Sequence, residues 1–437
     1  MNDNELQTTL NEILQDKNTN LKPENLRAGT TCLGVKGVAE LGNVSIEGYL
    51  SEEDYNTAIE LCNKILTEPI EPTPKTQHIY GISRDRNTNS SEWKRTNDSK
   101  KMIANALFAG MTEVQNDFDK AYPWSEIKSY NYNTETDEIV AWYGDDNFTF
   151  STKDTSNIVV MTRIPEFWYK RYIDDNSTEY IQIADYAAEG FTRVAPFSVG
   201  RYVTGTYNDQ LVISNGVAPI SGNVETFRNG LSQFNEKLYC MDIMAYCMIQ
   251  ILYLVEYANY NSQEKTGKGF VANSHNQGPN GSGSGDQYGM LSYADESSGW
   301  NTMIYRGMEN IYGNICQFID GIQFDGTSAI ICTNPSKYTS GDISADGYVR
   351  SDVGISSGWT TNMTYTPYYS WLMLPWENFG GGNTYGLCDY AYTGSDTLYV
   401  GGCFMDNTSA GLFAMSSNSS YTTSAHYLGV RYMRREE

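Results

Sequence analysis

The sequence predicts an α+β fold in which loops carry the function, on the strength of three observations. Short strand-like segments, separated by loops rich in Gly, Asn and Ser, fill the chain from about residue 76 onward. Few segments have helical periodicity, and the run from about Asp242 to Asn259 is apolar nearly all round, as a buried helix is. Long polar connections on a rigid scaffold are typical of binding proteins.

The first 75 residues are predicted to form a separate small module that ends in a linker. Residues 5–16 carry leucines at four-residue spacing, and residues 51–66 begin with Ser51 as an N-cap before acidic residues, so two helices are expected. Between them, Pro23 and several glycines divide short β-prone pieces, which predicts a small hairpin. Residues 67–75, "TEPIEPTPK", hold three prolines and are expected to be extended.

The rest of the chain is predicted to contain an intermediate β-rich region, 76–155, and a large domain, 156–437. Alternating apolar residues and β-branched residues mark the predicted strands. These strands are "IVAWYGD" (139–145), "FTFST" (148–152), "IVVMTRIPEFWYKRY" (158–172), "YIQIADY" (180–186) and "FSVGRYV" (197–203). Asp242 is expected to cap the buried helix, and a glycine-rich loop follows that helix.

Charge and cysteine spacing exclude several classes of function. The net charge of −23 disfavours binding to nucleic acid or to anionic membranes. No apolar run is long enough to span a bilayer, and the N-terminus lacks the basic and apolar regions of a signal peptide, so no membrane insertion is expected. The eight cysteines include no C-x-x-C pair, so free thiols are expected, with no metal site and no cofactor.

One segment, "RGMENIYGNICQFIDGI" (306–322), combines buried apolar residues with glycines and unusual polar groups. Gly307 and Gly313 allow tight turns or close approach of backbone. Glu309 and Asn310 lie among apolar residues, where they persist only if hydrogen-bonded, so they are expected to hold neighbouring loop backbone. Asp320, before a glycine, is predicted as a turn residue.

The final segment returns to strand character after a polar run. "YLGVRYMR" (427–434) has apolar residues at alternating positions, which predicts a closing strand. Arg431 within it is expected to pair with an acidic side chain near the core and so to fix this strand.

These two segments carry a resemblance to a known family. The first resembles the G-x-E-x-x-G-N signature of C-type-lectin-like domains of the formylglycine-generating-enzyme type, on Gly307, Glu309, Asn310, Gly313 and Asn314. The second resembles the closing G-x-R strand of these domains, with Arg431. Such domains occur in phage tail adhesins, including the variable proteins of diversity-generating retroelements. Upstream segments are similar to minor tail proteins of phages and prophages of Gram-positive gut bacteria: "IYGISRD", "SEWKRTND", "NDFDKAYPWSEIK", "IPEFWYKRY", "FSVGRY", "ILYLVEYANYNSQ" and "NLKPENLRAGTTCLGVKGV".

The resemblance implies a virion tail protein that is assembled in the host cytoplasm. Its N-terminal module would attach to other tail or baseplate proteins, and the chain would form a homo-oligomer, on family grounds a trimer. Its C-terminal lectin-like domain would bind a receptor, glycan or protein, on the host bacterial surface.

In that family the receptor-binding face lies between the G-N motif and the last strand, which here is the region 383–426. This region is rich in Asn, Ser, Thr, Asp and Tyr, the composition of antibody binding loops. Such a stretch could be diversified between relatives, or it could be a polar loop set that contacts nothing. The candidate receptor-binding residues, selected as exposed aromatic or multi-donor side chains, are Tyr385, Tyr390, Tyr392, Phe404, Asp406, Asn407, Asn418, Tyr421 and His426.

Two other functions stay open at this point. One is a structural baseplate or tail-decoration protein, in which these loops are buried against a neighbouring chain. The other is an enzyme, either a surface depolymerase with paired acids or a cysteine oxidase, for which Cys388 and Cys403 lie in the appropriate region. No recognised catalytic motif is present, so no enzymatic activity and no catalytic residue is predicted.

Overall fold

The computed structural model describes residues 31–32, 35–36 and 77–436, apart from 109, 274–276, 295–298, 355–356, 380–387 and 395. The chain divides into two compact units, Met1–Thr76 and Gln77–Glu437. In the first unit, two short strands pair antiparallel at the position of the predicted hairpin. The two predicted N-terminal helices and the proline linker lie outside the described residues. No helix in the described part is long and apolar enough to cross a membrane.

The described helices are α1 (Val224–Asn229), α2 (Ile243–Tyr257) and α3 (Ser262–Thr266). The strands are β1 (Thr31–Cys32), β2 (Val35–Lys36), β3 (Ile79–Asp85), β4 (Lys94–Asn97), β5 (Leu107–Phe108), β6 (Lys128–Asn133), β7 (Glu138–Trp142), β8 (Ile158–Ile164), β9 (Phe167–Ile173), β10 (Thr178–Ala184), β11 (Thr192–Val194), β12 (Phe197–Gly200), β13 (Gly205–Tyr207), β14 (Gln210–Val212), β15 (Ala218–Pro219), β16 (Tyr239–Cys240), β17 (Tyr293–Ala294), β18 (Ile304–Tyr305), β19 (Met308–Glu309), β20 (Cys316–Phe324), β21 (Ser328–Ile331), β22 (Val349–Gly354), β23 (Gly358–Met363), β24 (Pro375–Phe379), β25 (Cys388–Tyr392), β26 (Thr397–Val400), β27 (Met415–Ser416), β28 (Leu428–Val430) and β29 (Tyr432–Arg435).

Three large sheets organise the second unit. One has the order β11-β9-β10-β3-β4, and another has the order β16-β29-β12-β8-β6-β7. The largest has the order β22-β21-β20-β26-β27-β25-β23-β24, with β28 joined to β20 in parallel. Strands from both sides of residue 155 share the first two sheets, so the expected boundary there does not coincide with a break in either sheet.

The predicted buried helix is confirmed as α2. The Asp242 side chain accepts a hydrogen bond from the Ala245 N–H at 2.9 Å, which caps the first turn. All but one of the helical residues are buried, because α2 is the centre of a hydrophobic core to which several sheets contribute. The helix ends at Ala258, which adopts the left-handed conformation.

One predicted strand is wrong. The segment "FTFST" (148–152) forms no strand; it is a loop that is held by side chains. Thr149 donates its N–H to the Asn131 side chain at 2.9 Å, and Phe148 and Phe150 pack against each other edge to face. Aromatic and β-branched residues favour a strand locally, but here no neighbouring strand lies alongside to pair with them.

Asp320 is not a turn residue. It lies inside β20, is almost fully buried, and forms an ion pair with Arg228 at 2.6 Å. Gly321 after it has φ 76°, and the pairing of β20 with β26 shifts register between residues 319 and 323. The glycine therefore marks a bulge within a strand rather than the end of one.

The C-terminal strands join two sheets, and Arg431 stands between them. β28 pairs with β20, while β29 pairs with β12 and β16. The expectation that Arg431 pairs with an acidic side chain is wrong. Its guanidinium donates to the Gln317 side chain at 2.8 Å and to the main-chain carbonyl oxygens of Gly200, Arg201, Glu309 and Asn310. Burial lowers the pKa of Arg431 to about 9.

The unit is thus mostly β, with several antiparallel sheets around one long buried helix. The predicted short strands and buried helix are present, but the predicted α+β class is confirmed only in part, because strands predominate over helices.

Candidate functional site

We call residues 306–322 the signature segment. Its polar side chains bind the backbone of the glycine-rich loop, residues 278–289. The Glu309 carboxylate accepts backbone N–H groups of Gly283 at 2.9 Å and of Gly285 at 3.3 Å. Asn314 forms a reciprocal pair with the backbone of Asn280, accepting its N–H at 2.7 Å and donating to its carbonyl at 3.0 Å. Asn310 accepts the N–H of Met303 at 3.3 Å. Polar side chains thus satisfy the backbone of an irregular loop.

Two glycines of this segment are required by its geometry. Gly307 and Gly313 have φ angles of 79° and 72°, which side chains disfavour. A Cβ at Gly307 would lie 2.4 Å from the Met290 side chain, and a Cβ at Gly313 would lie 2.9 Å from the Val271 side chain. The signature segment therefore packs so closely against Met290 and Val271 that only glycine fits at these two positions.

Glu309 makes stability depend on pH. Burial raises its pKa to about 7 from 4.5, while the N–H of Gly283 opposes the shift. Because this pKa is raised in the folded state, the contribution is fully present below pH 4.5 and is lost as pH rises toward 7 and beyond. We expect the free energy of unfolding to fall by up to about 3 kcal/mol between pH 4.5 and 8 on account of this group.

The matched variant is Glu309→Gln, which keeps the shape and cannot ionise. Urea unfolding at pH 5 and at pH 8 should show a smaller loss for Glu309→Gln than for the natural protein. Equal losses in the two proteins would show that the carboxylate does not carry the effect.

Two of the candidate residues lie in an exposed aromatic row on the largest sheet. Tyr390 and Tyr392 are on β25, and their ring centroids are 4.5 Å apart. Trp359 on β23 pairs across from Tyr390 and meets its ring edge-on at 5.4 Å. Tyr392 is 43% exposed, and the other two rings are half-buried. We call Trp359, Tyr390 and Tyr392 the aromatic row; the sequence did not indicate Trp359.

Phe404 does not belong to an exposed surface, and this prediction is wrong. Its side chain is 0% exposed, and its main chain bonds to Asn314 and Asn273. Phe404 lies in the turn 401–411, which also contains the exposed Asn407. Asn407 has φ 50° and donates its N–H to the carbonyl of Val271 at 2.9 Å. The turn therefore buries the Phe404 ring and exposes the side-chain amide of Asn407.

The turn 401–411 also brings Asp406 close to the aromatic row. Asp406 is half-buried and accepts the N–H of Cys403 at 2.7 Å. Residues 407–409 of this turn contact β25, which carries Tyr390 and Tyr392. Burial, and next the Asp406 carboxylate, raise the pKa of the Tyr392 hydroxyl. His426 is exposed, and its ring lies 5.6 Å from those of Phe404 and Tyr427.

The remaining candidates are placed as follows. Asn418 is exposed, and its side chain accepts a hydrogen bond from the Ser416 hydroxyl. Ser416 lies opposite Tyr392 in the sheet, so Asn418 follows β27 close to the aromatic row. Tyr421 is 38% exposed and packs on Gly341, while its N–H donates to Asp396 at 3.2 Å. Tyr385 lies outside the described residues.

Three groups that the sequence separates meet where β20 adjoins the turn 401–411. The Cys316 and Cys403 sulfurs and an Asp406 carboxylate oxygen all lie within 4.8 Å of one another. The pair considered from the sequence was Cys388 with Cys403. The pairing of β20 with β26 sets Gln317 opposite Val400, so Cys316 lies beside the turn 401–411 that follows β26 and meets Cys403 there.

A cleft elsewhere on the unit was also missed by sequence reasoning. It has a volume of about 550 Å³ and is lined by aromatic residues that include Tyr365, Tyr368 and Trp376. A second cleft, of about 480 Å³, shares Pro367 and Tyr368 with it. Tyr368 is 91% exposed. The sequence signal of this site is the aromatic-rich segment "TYTPYYSW" (364–371).

Neither the comparison with protein-family models nor the comparison with curated proteins gives a match.

Proposed function

We propose that this protein is a phage tail receptor-binding protein that binds a host bacterial surface receptor, glycan or protein, without chemical change. The observation that carries the proposal is the partly exposed aromatic row, of which Tyr390 and Tyr392 lie in the region 383–426 that the family resemblance assigns to receptor binding. The C-type-lectin-like type of the second unit is part of this proposal. It is supported by the signature segment, which holds the glycine-rich loop, and by Arg431, which holds the closing strands.

The chemistry of the row suits a binding surface. Tyr and Trp rings offer large rigid faces at a low cost in conformational entropy, and the tyrosine hydroxyls offer hydrogen bonds. Rings that pack on each other are already ordered before a ligand arrives, so binding loses less entropy. Asn418 and Asn407 supply exposed polar groups on segments that adjoin β25, the strand that carries Tyr390 and Tyr392.

Attachment to a tail would make weak contacts effective. In this proposal the N-terminal unit binds other tail or baseplate proteins, and the chain assembles as a homo-oligomer, on family grounds a trimer. Several identical surfaces on one particle then raise the avidity far above the affinity of one surface.

A cysteine-oxidase function has less support. A reactive cysteine needs an accessible thiolate. Cys316 and Cys403 are buried, and the hydrogen bond with Cys403, together with burial, raises the pKa of Cys316. A structural role without receptor binding differs from the proposal in one respect, namely that the aromatic row would be covered by a neighbouring chain.

The test is binding of the purified full chain to host cells. The variant Trp359→Ala/Tyr390→Ala/Tyr392→Ala should lose at least about tenfold in affinity, because aromatic residues dominate the energetics of interfaces. The matched control, Tyr368→Ala/Trp376→Ala, removes exposed aromatic rings from the clefts and should bind like the natural protein.

The outcomes separate the alternatives. Loss in the control but not in the row variant would move the receptor site to the clefts. If the folded natural protein does not bind while phage adsorbs through another protein, the structural role replaces the proposal.

A further inference from the structure

We propose that Cys316, Cys403 and Asp406 bind one thiophilic divalent cation of the Zn²⁺ class between β20 and the turn 401–411. The three ligand atoms are mutually within 4.8 Å, and the Cys316 sulfur lies 3.9 Å from the Asp406 carboxylate. Tetrahedral zinc with sulfur ligands near 2.3 Å and oxygen ligands near 2.0–2.2 Å brings its ligand atoms to roughly 3.5–3.8 Å from one another. A contraction of a few tenths of an ångström between Cys316 and Asp406, and of at most about 1 Å between any other two of these atoms, would therefore bring three ligands to these separations.

The backbone positions these ligands in advance. Cys403 and Asp406 are separated by two residues in one tight turn, the spacing at which zinc-binding turns present two donors on the same side. The turn is fixed because Asp406 accepts the N–H of Cys403, and Asp406 donates its own N–H to the Cys403 carbonyl at 3.1 Å. Cys316 comes from β20, where its N–H donates to the Tyr427 carbonyl at 2.9 Å.

The donor set selects the class of cation. Two sulfurs disfavour Ca²⁺ and Mg²⁺, which require shells of oxygen ligands, and favour Zn²⁺, Cd²⁺ and Co²⁺. Three protein ligands leave a fourth position for water. The cation would join the turn 401–411 to β20. The proposed cation site does not depend on whether the aromatic row binds a receptor.

Binding should release protons. Both thiols must lose theirs to become ligands, so one cation enters and two protons leave. The titratable groups that interact with the two sulfurs are Asp406, Tyr246, Tyr392, Tyr399 and Tyr427, which carry negative charge or none. Affinity should therefore rise with pH.

The experiment uses the reduced full chain and Co²⁺ as the spectroscopic probe. At pH 8 we expect one equivalent to bind with a thiolate-to-cobalt charge-transfer band, and Zn²⁺ to displace it. Affinity should be at least about tenfold weaker at pH 6, because proton release makes binding depend on pH. Cys316→Ser, Cys403→Ser and Asp406→Asn should each weaken binding at least about tenfold. Cys332→Ser, which removes another buried free thiol, is the matched control and should bind like the natural protein.

Three results would overturn the proposal. Absence of the charge-transfer band in the natural protein, or uptake that survives in Cys316→Ser/Cys403→Ser, would exclude this site. A Cys316–Cys403 disulfide that re-forms in air once the reductant is removed, and so prevents uptake, would assign the pair to redox chemistry instead. Circular dichroism of each variant establishes that a lost band reflects lost ligands rather than a lost fold.

Discussion

Glu256→Ala is expected to lower the free energy of unfolding by about 3–5 kcal/mol, since it removes the buried acidic partner of Arg306 and leaves only the exposed Asp119 carboxylate, at 3.0 Å, to pair with this buried cation. Glu256 is fully buried near the end of α2, and its carboxylate accepts from Arg306 at 2.7 and 2.9 Å. It also accepts from the Tyr305 hydroxyl at 3.0 Å and from the Asn116 side chain at 2.7 Å. One substitution thus removes four hydrogen bonds that join the helix to two other segments. Urea unfolding followed by circular dichroism measures the loss.

Two further variants test the cause. Glu126→Ala removes an exposed acid and should cost less than about 1 kcal/mol. Arg306→Met should cost less in the Glu256→Ala background than in the natural protein, because the two charges compensate each other. Additive losses would show that the ion pair is not the source of the effect.

Arg431→Met is expected to cost a similar amount, about 3–5 kcal/mol, through unsatisfied acceptors rather than an unpaired charge. Its guanidinium supplies hydrogen bonds to four buried carbonyl oxygens and to Gln317, and no water can replace them at a 0% exposed site. The affected carbonyls belong to β12 and to the signature segment, so the closing strands should loosen first. Hydrogen exchange of the amides in β28 and β29 should quicken along with the loss of stability.

Arg431→Lys separates charge from geometry. Lysine keeps the positive charge but lacks the planar fork, so it should recover only part of the loss. Arg193→Met is the control, because Arg193 is 57% exposed and pairs with Glu166 at the surface, where such pairs contribute little. Full recovery by lysine would mean that charge alone matters at this site.

The features that local chemistry controls could be predicted from the sequence. The continuous apolar run that follows Asp242 predicts a buried helix capped by Asp242. The structure has this helix as α2, Ile243–Tyr257. Glycines at Gly307 and Gly313 allow left-handed backbone that other residues disfavour, and both adopt it. The alternation in the last segment predicts strands, and β28 and β29 form there.

Features that depend on distant partners could not be predicted. Phe404 and Tyr392 are equally aromatic, but the turn 401–411 folds the first into the core, whereas β25 holds the second at the surface. The local sequence around Asp320 predicts a turn residue, but in the fold Asp320 forms an ion pair with the distant Arg228. Trp359 joins the aromatic row only because β23 pairs with β25.

The sequence by itself determined the buried helix, the strand-rich character of the chain, the tight turns of the signature segment and the polar, tyrosine-rich composition of the 383–426 region. Periodicity, capping and glycine act over a few residues, so these features need no knowledge of the fold. The tertiary structure alone decided which tyrosines are exposed, that Arg431 serves carbonyl oxygens instead of an acid, and that Cys316 meets Cys403 and Asp406. Strand pairing between distant segments sets these contacts, and no local pattern records it.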